Sequence, residues 1–233
     1  MSESPSASRK VFRPAAVIGC IVLCVLVFVV DYLSSRINSG TFGFSAYGWP
    51  SVLGMKDSYA IADGQWYRLL TANFLHADFT HILFNMFSMY MWGRYVELLY
   101  GHGRTVMILL MAGLATTCVS FALSSGRSLG ASGMVFGLMG ALLAFGKYNR
   151  PMYRRFFGGG MTVMVILNLA YGFFTSNVDN FGHVGGLLGG YLAARCLGIL
   201  MEPRFTWKSA LACAGYAALI IVTLAIGRAR WGA

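Results

Sequence analysis

The sequence contains few charged residues. Only 11% of its 233 residues are charged, and only eight of these are acidic, whereas charged residues make up about 25% of ordinary soluble domains. Hydrophobic residues make up 57% of the chain, and the mean hydropathy is +0.64. This shortage of charge excludes an ordinary soluble domain. It predicts an integral membrane protein with little length left for a separate soluble domain.

Cysteine is also scarce. The five cysteines are odd in number, lie within apolar segments and form no Cys-x-x-Cys pair; they are Cys20, Cys24, Cys118, Cys196 and Cys213. This pattern indicates neither a disulfide framework nor a zinc site. We therefore interpret all five as small residues that pack between helices.

Seven apolar segments have the character of membrane-spanning helices. They cover about 14–33, 80–100, 105–123, 132–147, 159–175, 183–200 and 208–226. The mixed segment 34–79 is rich in glycine, serine and aromatic residues, a composition that suits the interface between membrane and water. The predicted fold class is therefore an all-α polytopic membrane protein. No small-x-small cleavage site follows the first apolar segment, so we expect it to be retained as an anchor.

The net charge of +10 follows the predicted topology and does not indicate a nucleic-acid partner. Lysine and arginine are retained on the cytoplasmic side of a membrane. With a cytoplasmic N-terminus, an alternating path puts most cations on that side, namely Arg9, Lys10, Arg13, Arg94, Arg104, Lys147, Arg150, Arg154, Arg155, Arg195, Arg204 and Lys208. Arg228 and Arg230 break the pattern and leave the orientation of the last segment open.

Ser132 and His183 each begin one of these apolar segments. Ser132 lies in Gly130-Ala131-Ser132-Gly133, and His183 lies in Phe181-Gly182-His183-Val184-Gly185-Gly186. Serine needs a neighbouring base to act as a nucleophile at neutral pH, and histidine is suited to that task. The two residues are candidates for a hydrolytic pair at one membrane depth. Taken singly, each is equally compatible with a polar contact between helices.

Glycine repeats strengthen the functional interpretation. Gly133-x-x-x-Gly137 follows the serine, and Gly185-x-x-x-Gly189 and Gly186-x-x-x-Gly190 follow the histidine. Such repeats let helix backbones approach closely, although they are a general packing device. Two facing repeats would bring Ser132 and His183 within hydrogen-bond distance.

His81 and Asn85 are four residues apart and therefore share one helical face. Both can donate hydrogen bonds, and together with the Ser132 backbone N–H they could stabilise the oxyanion that peptide hydrolysis forms. The alternative is a pair of polar contacts between helices.

Two weaker alternatives concern nearby residues. His76 with His183 could bind a metal, although no carboxylate or thiolate completes a tetrahedral set. Asp179 could orient His183 as a third triad member.

The sequence over about Gln65 to Leu200 resembles the rhomboid family of intramembrane serine proteases. The resemblance depends on an ordered set of motifs, namely Tyr67-Arg68, Thr71, His76, His81-x-x-x-Asn85, Glu97, Gly130-Ala131-Ser132-Gly133 and Gly182-His183-x-x-Gly186-x-x-x-Gly190. It implies a six-helix bundle over 14–200 with a long interfacial loop over 34–79. A disordered cytoplasmic N-terminus over 1–13 would precede the bundle, and a cytoplasmic linker and a seventh helix over 201–233 would follow it.

The resemblance also implies functional roles. Ser132 would be the nucleophile and His183 the general base of a dyad, and His81, Asn85 and the Ser132 backbone would form the oxyanion hole. Residues expected to support this site are Arg68, His76, Glu97, Gly130, Gly133, Phe136, Gly186 and Gly190. The partners would be membrane lipid and the transmembrane segments of single-span substrate proteins, and no metal, other cofactor or nucleic acid is expected.

The sequence departs from the family pattern at two positions. Phe136 stands where many relatives carry tyrosine, which allows a ring stack on His183 but no hydroxyl contact, and Gly182 stands where alanine is common. Neither departure removes a catalytic group, so an active enzyme is predicted. The alternatives are a catalytically silent rhomboid-like protein that binds transmembrane helices and, less favoured because inverted repeats are not evident, a transporter. The absence of a transit-like leader favours a bacterial plasma membrane. With a cytoplasmic N-terminus, the second, fourth and sixth apolar segments enter from the outside, so the site is expected to open outward.

Overall fold

The chain folds into a helical bundle. The structure is a computed structural model that describes residues 12–38, 48–175, 178–200 and 205–232. Its α-helices are α1 (Ala15–Asn38), α2 (Trp49–Gly54), α3 (Ser58–Ala62), α4 (Arg68–Thr71), α5 (Phe79–Tyr100), α6 (His102–Leu123), α7 (Ser132–Tyr148), α8 (Arg150–Phe156), α9 (Gly160–Phe174), α10 (Asn180–Leu197) and α11 (Trp207–Trp231). The all-α prediction is confirmed. Parts of the predicted N-terminal tail (1–11) and linker (201–204) lie outside the described residues.

A helix occupies each of the seven predicted apolar segments, in α1, α5, α6, α7, α9, α10 and α11. By length and hydropathy, three helices among the described residues can cross a membrane: α1, α6 and α11. Helices α8 and α9, bent by 68° where they meet, could form a fourth crossing. The chain is therefore a multi-pass membrane protein, and the number of seven spans stays a prediction.

Residues 39–47 of the predicted interfacial loop 34–79 lie outside the described residues, and the described part is more ordered than its mixed composition indicates. Helix α1 continues to Asn38, and residues 48–79 include α2, α3, α4 and a 3-10 turn (Ala72–Phe74). Arg68 holds this segment together, because its Nη1 donates to the carbonyl oxygens of Met55 at 2.9 Å and Val52 at 3.2 Å. The Thr71 hydroxyl donates to the Gly54 carbonyl at 2.7 Å. These contacts join residues 13 to 17 positions apart, beyond the spacing of one helical turn, so local periodicity does not reveal them.

Glu97 links α5 to the start of α1. Its fully buried carboxylate accepts hydrogen bonds from the backbone N–H groups of Ala16 at 2.8 Å and Val17 at 2.9 Å, and it also contacts His102 Nδ1. These N–H groups belong to the first turn of α1, where a helix lacks internal acceptors and carries partial positive charge. Glu97 therefore caps α1 and fixes it against α5.

The interpretation of all five cysteines as unpaired packing residues is wrong for two of them. Cys196 on α10 and Cys213 on α11 form a disulfide, with their Cα atoms 5.2 Å apart, whereas Cys20, Cys24 and Cys118 are free. The two helices lie side by side, with Cys196 at the end of α10. Sequence spacing did not reveal this pairing because it depends on how α11 packs.

Candidate active site

Ser132 and His183 are hydrogen-bonded to each other. The distance from Ser132 Oγ to His183 Nε2 is 2.8 Å. Ser132 is the first residue of α7, and His183 lies in the first turn of α10. Both side chains line one cavity of about 1750 Å³. A serine in contact with an imidazole nitrogen has the geometry that a general base needs to take the hydroxyl proton.

Glycine contacts bring α7 and α10 together. A Cβ atom on Gly186 would lie 2.2 Å from the Gly133 carbonyl oxygen, and one on Gly190 would lie 2.1 Å from the Gly137 carbonyl oxygen. Only glycine allows so close an approach of the two backbones. The second repeat, Gly185 and Gly189, faces Ala115 on α6 instead. Helix α10 is thus held between α7 and α6, and the first turn of α10 meets the first turn of α7.

The turn before Ser132 has a conformation that requires glycine. Gly130 has φ +133°, a left-handed value, and its N–H donates to the Ala72 carbonyl at 2.9 Å. A Cβ atom there would also lie 2.8 Å from the His81 ring. Substitution would therefore strain the backbone and displace a ring in the cavity.

His76 supports the same turn from the other side. It is 1% exposed, its Nε2 accepts from the Ala131 N–H at 3.4 Å, and its ring meets the His81 ring edge-on with centroids 5.2 Å apart. Burial, with a smaller effect from nearby His81, lowers the pKa of His76 to about 3. The ring therefore stays neutral near pH 7 and keeps a lone pair for the Ala131 N–H.

His81 and Asn85 present polar groups to the cavity that holds Ser132. The Ala77 N–H approaches His81 Nδ1 at 3.5 Å, which favours the tautomer with its proton on Nε2, the nitrogen beside Gly130. Asn85 is 7% exposed, and its Nδ2 is buried without a hydrogen-bond partner among the described residues. A buried donor without a partner is costly and calls for an explanation. An oxygen of a bound reactant would satisfy it.

Phe136 lies one turn after Ser132 and stacks on His183. The ring centroids are 4.5 Å apart with an angle of 23° between the planes. Phe136 is also 6% exposed and belongs to the main hydrophobic core. Phe136 therefore both stacks on His183 and packs in the core, and together these contacts restrict the rotation of the imidazole.

Asp179 does not bond to the His183 side chain. One carboxylate oxygen accepts from the Gly182 N–H at 2.9 Å as the N-cap of α10, and the other accepts from the Ser120 hydroxyl. His183 Nδ1 is buried and has no partner among the described residues. Asp179 thus fixes the start of the helix that carries His183 and does not serve as a third member of a triad. Local sequence patterns do not reveal this role of Ser120.

Lys56 is a second residue that sequence reasoning missed. It is fully buried, and its Nζ donates to the carbonyl oxygens of Ser124 at 2.6 Å and Gly126 at 2.8 Å. Its backbone pairs with Ser128 at 2.8 and 3.1 Å. Burial lowers the pKa of Lys56 to about 8, although the carboxylates of Asp179 and Asp57 oppose this shift. The only sequence signal was a lone lysine in a largely apolar stretch.

Comparison with known proteins identifies the class of this helical membrane protein. Residues 63–199 match the family model described as Rhomboid domain. The chain is 41% identical over 179 residues to "Rhomboid protease GluP" of Bacillus subtilis (strain 168), covering 77% of this chain and 34% of the relative. It is 36% identical over 162 residues to "RHOMBOID-like protein 6, mitochondrial" of Arabidopsis thaliana, covering 67% of this chain and 51% of the relative.

A third relative, "RHOMBOID-like protein 7" of Arabidopsis thaliana, is 32% identical over 219 residues, which cover 86% of this chain and 69% of the relative. The family match covers more than half of the chain, and the chain belongs to the rhomboid family. It spans about a third to a half of the length of the first two relatives.

Proposed function

We propose that this chain is an intramembrane serine endopeptidase that cleaves peptide bonds in or near the transmembrane helices of single-span membrane proteins. The observation that carries the proposal is the 2.8 Å hydrogen bond between Ser132 Oγ and His183 Nε2 inside a cavity at one end of the bundle. Family membership and the similarity to a protein named as a rhomboid protease support it.

In the first half of the proposed reaction, Ser132 Oγ attacks the carbonyl carbon of the substrate peptide while its proton passes to His183 Nε2. The carbonyl oxygen becomes an oxyanion. The Nδ2 of Asn85, the Nε2–H of His81 and the Ser132 backbone N–H stabilise that charge. The backbone N–H is available because the first turn of a helix lacks internal acceptors. His183 then gives the proton to the leaving amine, and an acyl-enzyme on Ser132 remains.

In the second half, His183 takes a proton from a water molecule, which attacks the acyl carbon. The oxyanion hole stabilises the second tetrahedral intermediate, and collapse of that intermediate returns the proton to Ser132. The cavity supports this step because polar residues line part of it and can hydrogen-bond water. The substrate helix must unwind locally, since an intact helix keeps its carbonyl groups in internal hydrogen bonds.

The proposed organisation follows from the same account. Residues 14–200 form the protease core, and residues 201–233 add a linker and a further transmembrane helix. The N-terminus is cytoplasmic and the cavity opens outward, in a bacterial plasma membrane. The cations at the end of α7 opposite Ser132 support this orientation, because lysine and arginine mark the cytoplasmic side.

The test is cleavage of a single-span substrate with a small-residue site in liposomes. We expect Ser132→Ala and His183→Ala each to lower kcat by at least about 10⁴-fold. Ser35→Ala is the matched control, because that hydroxyl bonds to the Tyr32 carbonyl on α1, and it should cleave as the wild type does. If folded wild-type protein binds several substrate helices and cleaves none, the protein is a helix-binding member of the family and the proposal fails.

A further inference from the structure

A second cavity of about 850 Å³ lies at the end of the bundle opposite Ser132. It is formed where α7 ends, α8 turns away and α9 begins. About 24 Å separates the two ends of α7 at 1.5 Å per residue, which is close to the thickness of a hydrocarbon core. This cavity is therefore separate from the site of Ser132 and His183. Its lining includes Lys147, Arg150, Arg154, Gly158, Gly159 and Thr162.

The cavity concentrates positive charge without an internal counter-ion. Lys147, Arg150 and Arg154 all line it, and no acidic residue occurs in the sequence between Glu97 and Asp179. Within the described parts of the chain, the three cations form no ion pair with a carboxylate. Three cations around one cavity repel each other unless an anion lies between them.

The start of α9 adds to this preference. Its N-cap is Gly159, which supplies no side-chain cap, so backbone N–H groups of the first turn remain available beside the cavity. Thr162 contributes a hydroxyl that can donate a hydrogen bond. Guanidinium groups, a lysine, a hydroxyl and backbone N–H groups together are the donors that bind phosphate oxygens in proteins.

The neighbouring surface is apolar. Val163 and Ile166 on α9 and Phe156 on α8 are each more than half exposed. A ligand with a charged phosphate and hydrocarbon chains would satisfy the cations and cover this surface, whereas free phosphate would satisfy only the cations. Basic pockets between transmembrane helices bind lipid headgroups in this way.

We propose that this second cavity binds a phosphate-bearing anion, with Arg150, Arg154 and Lys147 as its ligands. The adjoining apolar surface favours the headgroup of an anionic phospholipid over free phosphate. The site is independent of the proposed peptidase chemistry, because none of its residues lines the cavity of Ser132.

The test measures binding of phosphatidylglycerol to the full chain in detergent by native mass spectrometry, with phosphatidylcholine as the neutral comparison. Phosphatidylglycerol should bind more tightly than phosphatidylcholine, and the double variant Arg150→Gln/Arg154→Gln should weaken its binding by about 30-fold. The control is Arg155→Gln, since Arg155 is an exposed cation of the same helix that does not line the cavity. Its phosphatidylglycerol affinity should match that of the wild type.

Two further measurements complete the test. Thermal unfolding in detergent without added lipid should be the same for both variants, which shows that the double variant is folded. Inorganic phosphate should compete with phosphatidylglycerol at millimolar concentration if the phosphate group is what the site recognises. The proposal is overturned if phosphatidylcholine binds as well as phosphatidylglycerol, if Arg155→Gln weakens binding as much as the double variant, or if inorganic phosphate does not compete.

Discussion

Asn85 contributes a buried amide nitrogen that has no partner among the described residues. In the proposed mechanism this donor is satisfied only when an oxyanion forms, so its contribution belongs to the transition state. We expect Asn85→Ala to lower kcat by about 100- to 1,000-fold with little change in KM. Steady-state kinetics in liposomes measures both values. An unchanged kcat in folded protein would remove Asn85 from the oxyanion hole.

Substitution of Phe136 tests whether the ring stack on His183 contributes to catalysis. Its ring stacks on His183 with centroids 4.5 Å apart, and such contacts contribute about 0.5–1.5 kcal/mol beyond burial. Phe136→Leu keeps an apolar side chain but loses the stack, and we expect kcat to fall by up to about tenfold. Phe136→Tyr keeps the ring and should stay close to wild type. Equal kcat values for the leucine and tyrosine variants would contradict a positioning role for the ring.

The loop between α6 and α7 depends on Lys56. Its Nζ bonds to the Ser124 and Gly126 carbonyl groups, and its backbone pairs with Ser128, a few residues before Ser132. Lys56→Met removes both Nζ hydrogen bonds, and the Ser124 carbonyl then keeps only the one from the Ser58 hydroxyl. Because small displacements of a nucleophile reduce rates strongly, we expect kcat to fall by about 10- to 100-fold while KM changes little.

The matched control for this prediction is Lys208→Met. Lys208 lies near the start of α11 and stacks over the exposed Trp207 ring, so its loss should leave kcat unchanged. Both variants are compared with wild type in the same liposome assay. A change in KM alone for Lys56→Met would mean that the loop contributes to substrate binding and does not position Ser132.

The helices were accessible from the sequence because their signals are local. The contact between Ser132 and His183 joins residues 51 positions apart, and it was accessible because each residue lies in a glycine-rich motif that resembles the rhomboid family. Apolar segments mark helices, and glycine repeats mark close helix packing. The contacts of Lys56 with Ser124 and Gly126 were not accessible, because 68 and 70 residues separate them. The same holds for Ser120 with Asp179, 59 residues apart. Such polar contacts depend on which loops meet after the helices have packed.

Helix α11 is attached to the rest of the molecule by several contacts. Tyr216 donates to the Met111 carbonyl at 2.9 Å and Trp231 Nε1 to the Phe121 carbonyl at 2.5 Å, and the disulfide of Cys196 and Cys213 links α11 to α10. The two cysteines are 17 residues apart. A disulfide that closes a loop of about this size contributes about 3 kcal/mol to the free energy of unfolding. We therefore expect reductant to lower the melting temperature of protein purified without it.

Thermal unfolding in detergent with and without dithiothreitol measures this effect. The double variant Cys196→Ser/Cys213→Ser lacks both thiols of the bridge, and its melting temperature should not respond to the reductant. Intact mass spectrometry of wild-type protein before reduction should give a mass two hydrogens below that of the reduced chain. A fully reduced mass in protein purified under air would contradict the bridge.

The central claim is that His183 activates Ser132 as a nucleophile, and covalent labelling tests it most directly. A fluorophosphonate probe added to wild-type protein in liposomes should form one adduct, which peptide mapping locates at Ser132. His183→Ala should slow labelling strongly because the serine then lacks its base, whereas Ser35→Ala should label as wild type does. An adduct on another residue, or equal labelling rates for wild type and His183→Ala, would contradict the account.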